Sequence, residues 1–158
     1  MEDFVARRVV KHYLHRVGAG PETVFPLLCP VREYEWIKGW KCSMVYSESG
    51  VAENNCIFTT DFPDRGQGTW VVTRYEPEAF RVEYTIFHSD RFMEKIDLSL
   101  VENGDGTTSV HWTRTFTGLS PEGNEFIEHY SADHLDERME GLGKSLDHFC
   151  KTGEMLGG

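Results

Sequence analysis

The segment 80–122, FRVEYTIFHSDRFMEKIDLSLVENGDGTTSVHWTRTFTGLSPE, decides the fold of this chain. Apolar and polar residues alternate along three stretches of it, which is the pattern of half-buried β-strands. Ser89–Arg91 and Asn103–Gly106 separate these stretches and have the composition of hairpin turns. The segment therefore predicts three consecutive antiparallel strands. Ser120–Glu122 then predicts a helix start, because a capping serine, a first-turn proline and a glutamate favour a helix N-terminus.

The same patterns continue on both sides of this segment. A β-branched and aromatic stretch predicts a first strand over Val9–Val17, and two prolines place short helices over Pro21–Leu28 and Val31–Ile37. Alternation resumes after Trp40 and predicts three more strands, which brings the total to seven. The C-terminal helix is predicted to continue as one element to about Lys151. Its apolar residues fall three to five positions apart: Phe126, Ile127, Tyr130, Leu135, Met139, Leu142, Leu146 and Phe149.

Composition predicts one soluble domain over residues 1–158. The chain has 16 Lys and Arg against 26 Asp and Glu, a net charge of −10, which disfavours nucleic acid and anionic membranes as partners. No stretch has the roughly 20 apolar residues of a membrane helix, and residues 1–4 lack the start of a signal peptide, so a cytoplasmic location without membrane insertion is expected. The oligomeric state stays open.

We expect neither a metal nor a cofactor. The four cysteines, at positions 29, 42, 56 and 150, are too far apart in sequence for a zinc motif and are expected to be reduced thiols. His12 and His15 point to opposite faces of a strand. His129 and Glu125 share a helix face, but two ligands do not make a metal site. Gly66-Gln-Gly68 precedes a strand rather than a helix, so it is not a nucleotide-binding loop.

Alternation also predicts which strand residues face the core. Three inward sets each carry an ionisable residue, namely His88, Glu94 and Arg114. Counting through the two turns places His88 opposite Phe92 and Ile96 opposite Arg114. Glu94 is then diagonal to both His88 and Arg114, at a distance that long side chains can close. The sequence thus predicts a His88/Glu94/Arg114 cluster, with Phe58, Val82, Leu98 and Trp112 buried beneath Met139 and Leu142. Arg74, counted through the Glu76–Glu78 turn, is expected beside Phe80 at the opposite end.

The element order resembles the helix-grip fold of the START-like, or SRPBCC, superfamily, which includes polyketide cyclases, lipid-transfer domains and pollen-allergen proteins. Short motifs such as Pro21–Phe25 and Tyr75–Pro77 add to this resemblance, which spans nearly the whole chain. It implies an α+β fold in which a curved seven-stranded antiparallel sheet wraps a long C-terminal helix. It also implies a cavity between them for an apolar small molecule. The glycine-rich loop of the pollen-allergen branch is absent.

Three functions are compatible with this sequence. The leading hypothesis is a protein that binds a small hydrophobic or amphipathic, lipid- or polyketide-like molecule, with Arg114 or Arg74 fixing its polar head. The ligand-binding candidates are Trp70, Arg74, Tyr84, His88, Glu94, Trp112, Arg114, Phe126 and Tyr130. The second hypothesis is a polyketide cyclase or dehydratase with His88 and Glu94 as an acid–base pair. The third is a protein-interaction module on the acidic surface.

A purely structural role is the alternative for the charged cluster, because buried charges in proteins are commonly paired with each other. The hypothesis of a ligand site requires a real cavity. We expect one of roughly 300–1,000 Å³, the usual range for ligand pockets. It should lie beside Gly141 and Gly143 in the long helix, with close helix–sheet packing as the alternative at these glycines.

Overall fold

A computed structural model describes residues 3–157 of the chain, so Met1, Glu2 and Gly158 of the predicted domain lie outside the described residues. Seven antiparallel strands form one sheet in the order β1-β7-β6-β5-β4-β3-β2. The strands are β1 Arg8–Val17, β2 Ser43–Tyr46, β3 Ile57–Phe62, β4 Gly66–Glu76, β5 Arg81–His88, β6 Phe92–Glu102 and β7 Thr108–Gly118. This is the sheet of the helix-grip fold, as the sequence predicted.

Helices cover one face of this sheet and fill the connection between β1 and β2. They are α1 Pro21–Val24, α2 Pro121–Asp133 and α3 Leu135–Thr152, with 3₁₀ turns at Phe25–Leu28, Glu33–Glu35 and Pro77–Ala79. Ser120 caps α2 by accepting a hydrogen bond from the Gly123 amide, as its sequence position predicted. No helix within residues 3–157 is both long and apolar enough to cross a membrane.

The C-terminal helix is broken, which corrects the prediction of one continuous element. His134 ends α2 and precedes α3 with φ −128° and ψ −27°, outside helical geometry. In a continuous helix Tyr130 and Leu135, five positions apart, would point about 140° away from each other. The break lets both side chains be buried. It also allows α2 to pack on β7 and β1, while α3 packs on β1.

The strand register is the one that the turns predicted. His88 pairs with Phe92, Ile96 pairs with Arg114, and Leu98 pairs with Trp112. The four strand residues expected in the core, Phe58, Val82, Leu98 and Trp112, are all buried. Met139 above them is fully buried and Leu142 is half-buried. The assignment of inward faces on β5, β6 and β7 is therefore confirmed.

The two glycines of α3 have different surroundings. A Cβ on Gly143 would lie 2.6 Å from Cδ2 of His15, whereas nothing lies within 4 Å of the Cβ position of Gly141. Gly143 thus permits close packing of α3 against β1, and Gly141 is exposed to solvent. The expectation that these glycines border a cavity between sheet and helix is wrong, because His15 packs on Gly143 and Gly141 faces solvent.

Candidate functional site

A pocket opens between the sheet, the turn segment 33–40 and α3. Its volume is about 60 Å³, well below the predicted range, because aromatic side chains fill most of the space between the layers. The lining residues come from the turn segment 33–40, from the strands and the turn between β3 and β4, and from α3. They are Glu33, Trp36, Ile37, Trp40, Phe62, Arg65, Trp70, Tyr84, Ile96, Leu98, Trp112, Arg114, Arg138 and Leu142. The pocket lies where the sequence predicted a cavity, between sheet and helix, but it is smaller.

All four tryptophans of the chain line this pocket. Trp70 packs edge-on against Trp40 at 6.1 Å between ring centroids and against Tyr84 at 5.5 Å. Main-chain carbonyls accept hydrogen bonds from the indole N–H groups of Trp36 and Trp40, and Thr60 accepts one from Trp70. These bonds hold the rings in place, so the pocket has rigid aromatic walls.

Arg114 and Glu94 form a buried ion pair beneath the pocket. Nε of Arg114 donates to Oε1 of Glu94 at 2.8 Å, Nη2 donates to the same oxygen, and Nη1 contacts the sulfur of Met139 at 3.3 Å. Burial alone would raise the pKa of Glu94, but the charge of Arg114, followed by the contributions of His88 and Arg65, lowers it to about 2. Glu94 also keeps the pKa of Arg114 above its ordinary value against the effect of burial.

His88 lies next to this pair, as the diagonal register predicted. Its Nε2 is 3.9 Å from Oε2 of Glu94, which is too long for a hydrogen bond. The ring stacks on Phe92 at 4.2 Å, and Gly68 leaves room for it, since a Cβ there would lie 3.0 Å from Cε1 of His88. The structure thus brings His88, Glu94 and Arg114 together. Of the three, only Arg114 lines the pocket, and its guanidinium is already engaged by Glu94.

Two predicted ligand contacts on α2, Phe126 and Tyr130, do not line the pocket. Phe126 stacks on Phe92 at 5.0 Å and on Tyr130 at 5.7 Å, so both side chains pack within an aromatic cluster beside the pocket. The break at His134 explains this position, because it directs α2 over the β7 end of the sheet. The prediction that Phe126 or Tyr130 lines the cavity is therefore wrong.

Arg74 is also outside the pocket, which corrects the expectation that its side chain lies on the inner face beside Phe80. The register between β4 and β5 shifts between Val72 and Arg74, so Thr73 is an extra residue and Arg74 pairs with Glu83 rather than lying beside Phe80. Such a β-bulge reverses the alternation of inward and outward side chains. The Arg74 side chain is 42% exposed.

Glu33 is a pocket residue that the sequence analysis did not identify. It lies in a 3₁₀ turn where neither period-two nor helical periodicity indicates a side-chain direction. Glu33 is half-buried, and the burial of its carboxyl group raises its pKa well above the ordinary value. The protonated form of Glu33 is therefore favoured over a wider pH range than for an exposed glutamate.

Arg65 is the second pocket residue that the sequence analysis missed. It lies in the turn between β3 and β4, immediately before Gly66, which has a positive φ of 79°. Its side chain folds back over the Phe62 ring, with the guanidinium carbon 4.1 Å from the ring centroid, and is only 4% exposed. Arg65 lies between two strands, where alternation indicates no side-chain direction, so the sequence pattern could not identify it.

A sequence model for polyketide cyclase/dehydrase and lipid transport proteins matches residues 12–147. No curated protein matches the chain by sequence.

Among solved structures, norcoclaurine synthase from Thalictrum flavum in complex with dopamine and hydroxybenzaldehyde is similar, with a TM-score of 0.67, 11% identity and coverage of 92% of this chain and 87% of that chain. A hypothetical protein from Helicobacter pylori has a TM-score of 0.69 and 10% identity, covering 90% and 87% of the two chains. DynU16, encoded in the dynemicin biosynthetic locus, has a TM-score of 0.61 and 17% identity, with 92% of this chain and 48% of that chain covered. These likenesses show the fold.

Proposed function

Because this chain belongs to the polyketide cyclase/dehydrase and lipid transport family, within the START-like superfamily, we propose that it binds a small hydrophobic or amphipathic molecule in the pocket between the sheet and α3. The observation that carries this proposal is the pocket lining. Four tryptophans and Tyr84 form its walls, and ionisable side chains from four separate parts of the chain reach it. Mostly apolar walls with a few convergent polar groups are typical of small-molecule sites.

The dimensions of the pocket favour a small ligand over a long acyl chain. Its volume of about 60 Å³ leaves no room for a chain of ten carbons, even though each buried methylene group would contribute about 0.8 kcal/mol. Ile37 and Leu142 at the lining are half-buried, so a ligand is able to extend past them into solvent. The complex of norcoclaurine synthase with dopamine and hydroxybenzaldehyde, each of which has a single aromatic ring, supports the use of this fold for compounds with one ring.

Native mass spectrometry of the full chain, purified without detergent, tests this proposal. A retained small molecule, or one added from a panel of ring compounds and short fatty acids, is expected to bind with one copy per chain. Leu142→Phe is expected to weaken binding at least about tenfold by filling the pocket. Leu14→Phe is the matched control, because Leu14 lies on the exposed face of β1. Equal affinity of both variants would place the ligand elsewhere, and a panel without any binder would refute the proposal.

A dehydratase or cyclase activity in the same pocket is the second candidate, and Glu33 is the observation in its favour. Burial raises its pKa, so Glu33 keeps its proton to a higher pH than an exposed glutamate does, and it lines the pocket, which makes it a candidate proton donor. In dehydration of a β-hydroxycarbonyl compound, protonated Glu33 would give its proton to the hydroxyl group, which leaves as water. The carboxylate would then regain a proton from the carbon next to the carbonyl group, leaving a conjugated double bond. His88 and Glu94 are less suited to this role, since neither lines the pocket.

Glu33→Gln separates this second candidate from simple binding. The variant is expected to keep ligand affinity and lose turnover of a β-hydroxycarbonyl substrate, measured by the absorbance of the conjugated product. The rate for the unmodified protein should fall as the pH rises through the raised pKa of Glu33, because the acid form is the donor. Full activity of Glu33→Gln would remove Glu33 from the chemistry. A cytoplasmic location and the protein-interaction hypothesis stay predictions.

A further inference from the structure

We infer that the pocket selects a small planar anion, of the class of monocyclic aromatic carboxylates, and that Arg65 binds its negative group. This inference rests on the proposed function and specifies the ligand of that same pocket. It differs from the expectation that Arg114 or Arg74 would hold the head group. Arg74 is on the exposed side of the sheet, and Arg114 already has Glu94 as its partner.

Arg65 is the buried cation of the pocket that lacks a dedicated partner. Its side chain is 4% exposed, and its Nε makes no hydrogen bond with any described residue. Within residues 3–157 its one acidic neighbour within 4 Å is Asp64, whose Oδ1 is 3.5 Å from that Nε. A guanidinium stays charged in proteins and has five N–H groups to donate. A buried cation with so few acceptors is poorly compensated, so an anion entering the pocket would be bound favourably.

The balance of charge around the pocket leads to the same conclusion. Glu94 neutralises Arg114. Asp64 is shared between two arginines, because its second oxygen, Oδ2, lies 3.2 Å from Nη1 of Arg138. Three guanidinium groups therefore face two ionised carboxylates at these positions. The remaining positive charge lies next to a pocket with aromatic walls, where water screens it less than at the surface.

Arg65 is also held in position before any ligand arrives. Its amide donates to the Phe62 carbonyl at 3.2 Å, and its own carbonyl accepts a hydrogen bond from Nη2 of Arg91 at 2.5 Å. The guanidinium lies over the Phe62 ring and 5.8 Å from the centroid of the Tyr130 ring. Both main-chain bonds are independent of the Arg65 side chain. A substitution at this position should therefore remove the cation without removing the anchors of the turn.

The walls and the volume of the pocket determine the rest of the ligand. Tryptophan and tyrosine rings offer stacking and edge-on contacts to a flat ring. A cavity of about 150 Å³ is known to accept benzene, so a pocket of about 60 Å³ takes at most one ring, and only with movement of half-buried side chains at its rim. A flat ring with a carboxylate directed at Arg65 fits these constraints better than an extended alkyl chain.

Benzoate and its uncharged analogue benzamide are the probes for this inference. All four tryptophans line the pocket, so intrinsic tryptophan fluorescence of the full chain reports on its occupancy. Benzoate is expected to bind the unmodified protein at least about tenfold more tightly than benzamide, because a hydrogen bond to a charged group is worth more than a neutral one. This comparison needs no variant and holds even if a substitution impairs folding.

Arg65→Met then tests the residue itself, with Arg74→Met as the control for loss of an exposed arginine. Arg65→Met is expected to weaken benzoate binding by about tenfold to a hundredfold and to leave benzamide binding unchanged. Arg74→Met should change neither. Equal affinity of the unmodified protein for benzoate and benzamide, or unchanged benzoate affinity in Arg65→Met, would overturn the inference while the proposed function stands. If the unmodified protein binds neither these probes nor any compound of the wider panel, the inference about Arg65 and the proposed binding function both fail.

Discussion

Removing the charge of Glu94 should destabilise the protein more than most single substitutions. Glu94→Gln keeps the size of the side chain and leaves the Arg114 guanidinium buried against a neutral amide. Glu94 has no exposed surface, and two nitrogens of Arg114 donate to its Oε1. Breaking a buried ion pair by removing one partner costs about 3–5 kcal/mol, because the other charge stays desolvated without compensation.

The lowered pKa of Glu94 corresponds to a stabilisation of similar size. Folding lowers that pKa from the ordinary 4.5 to about 2, and each pH unit corresponds to about 1.4 kcal/mol, which amounts to about 3 kcal/mol. Because the folded pKa is the lower one, the ionised form stabilises the folded state. This stabilisation is fully present above about pH 4.5 and is lost as the pH falls toward 2.

Urea unfolding from pH 7 down to pH 3 measures both effects. Glu94→Gln is expected to lower the free energy of unfolding at pH 7 by about 3 kcal/mol, and the melting temperature by about 6–12 °C for a domain of this size. The variant should also lose part of the fall in stability below pH 4.5 that the unmodified protein shows. The double variant Glu94→Met/Arg114→Met should recover most of the loss, because it removes both charges. A single variant within about 1 kcal/mol of the unmodified protein, with the same pH dependence, would refute this account.

Four further substitutions test other parts of the structure. Gly141→Ala should raise the free energy of unfolding by about 0.5–1 kcal/mol, since nothing lies near its Cβ position, and Gly143→Ala should be the less stable of the two by about 1–3 kcal/mol because of contact with His15. Urea unfolding compares them, and equal stability would contradict the close packing of α3 on β1. Arg74→Ala should change stability by less than about 0.5 kcal/mol and leave ligand affinity unchanged, whereas a loss of affinity in calorimetric titration would return Arg74 to the site. Tyr84→Phe removes a buried 2.7 Å hydrogen bond to a main-chain carbonyl and should cost about 1 kcal/mol in thermal unfolding, so an unchanged melting temperature would count against that bond.

The sequence by itself determined the parts of the fold that depend on local periodicity. Short turns at 89–91 and 103–106 set the pairing of β5, β6 and β7, because a tight hairpin leaves few alternative registers. The diagonal contact of Glu94 and Arg114 followed from that pairing, and the structure places the two side chains in direct contact. Where the conformation of a residue depends mainly on its neighbours in sequence, the two-residue period of strands and the three- to four-residue period of helices were sufficient to predict the element.

The tertiary structure decided the features that depend on breaks in those patterns. The bulge at Thr73 reverses the alternation of β4, and hydrogen bonds of Thr73 to Glu83 and Thr85, on the adjacent strand, accompany it. The break at His134 allows Tyr130 and Leu135 to be buried together. Neither requirement is visible within a short stretch of sequence, because each arises from contacts with distant elements.

The pocket itself depends most on tertiary structure. Glu33 and Arg65 come from turns, where side-chain direction follows from backbone angles and from packing rather than from periodicity. The volume of about 60 Å³ results from how bulky side chains from the turn segment, the sheet and α3 pack together, and such packing is set by the shapes of many side chains at once. The sequence therefore predicted where a pocket would lie, and only the folded chain decided which charged side chains reach it.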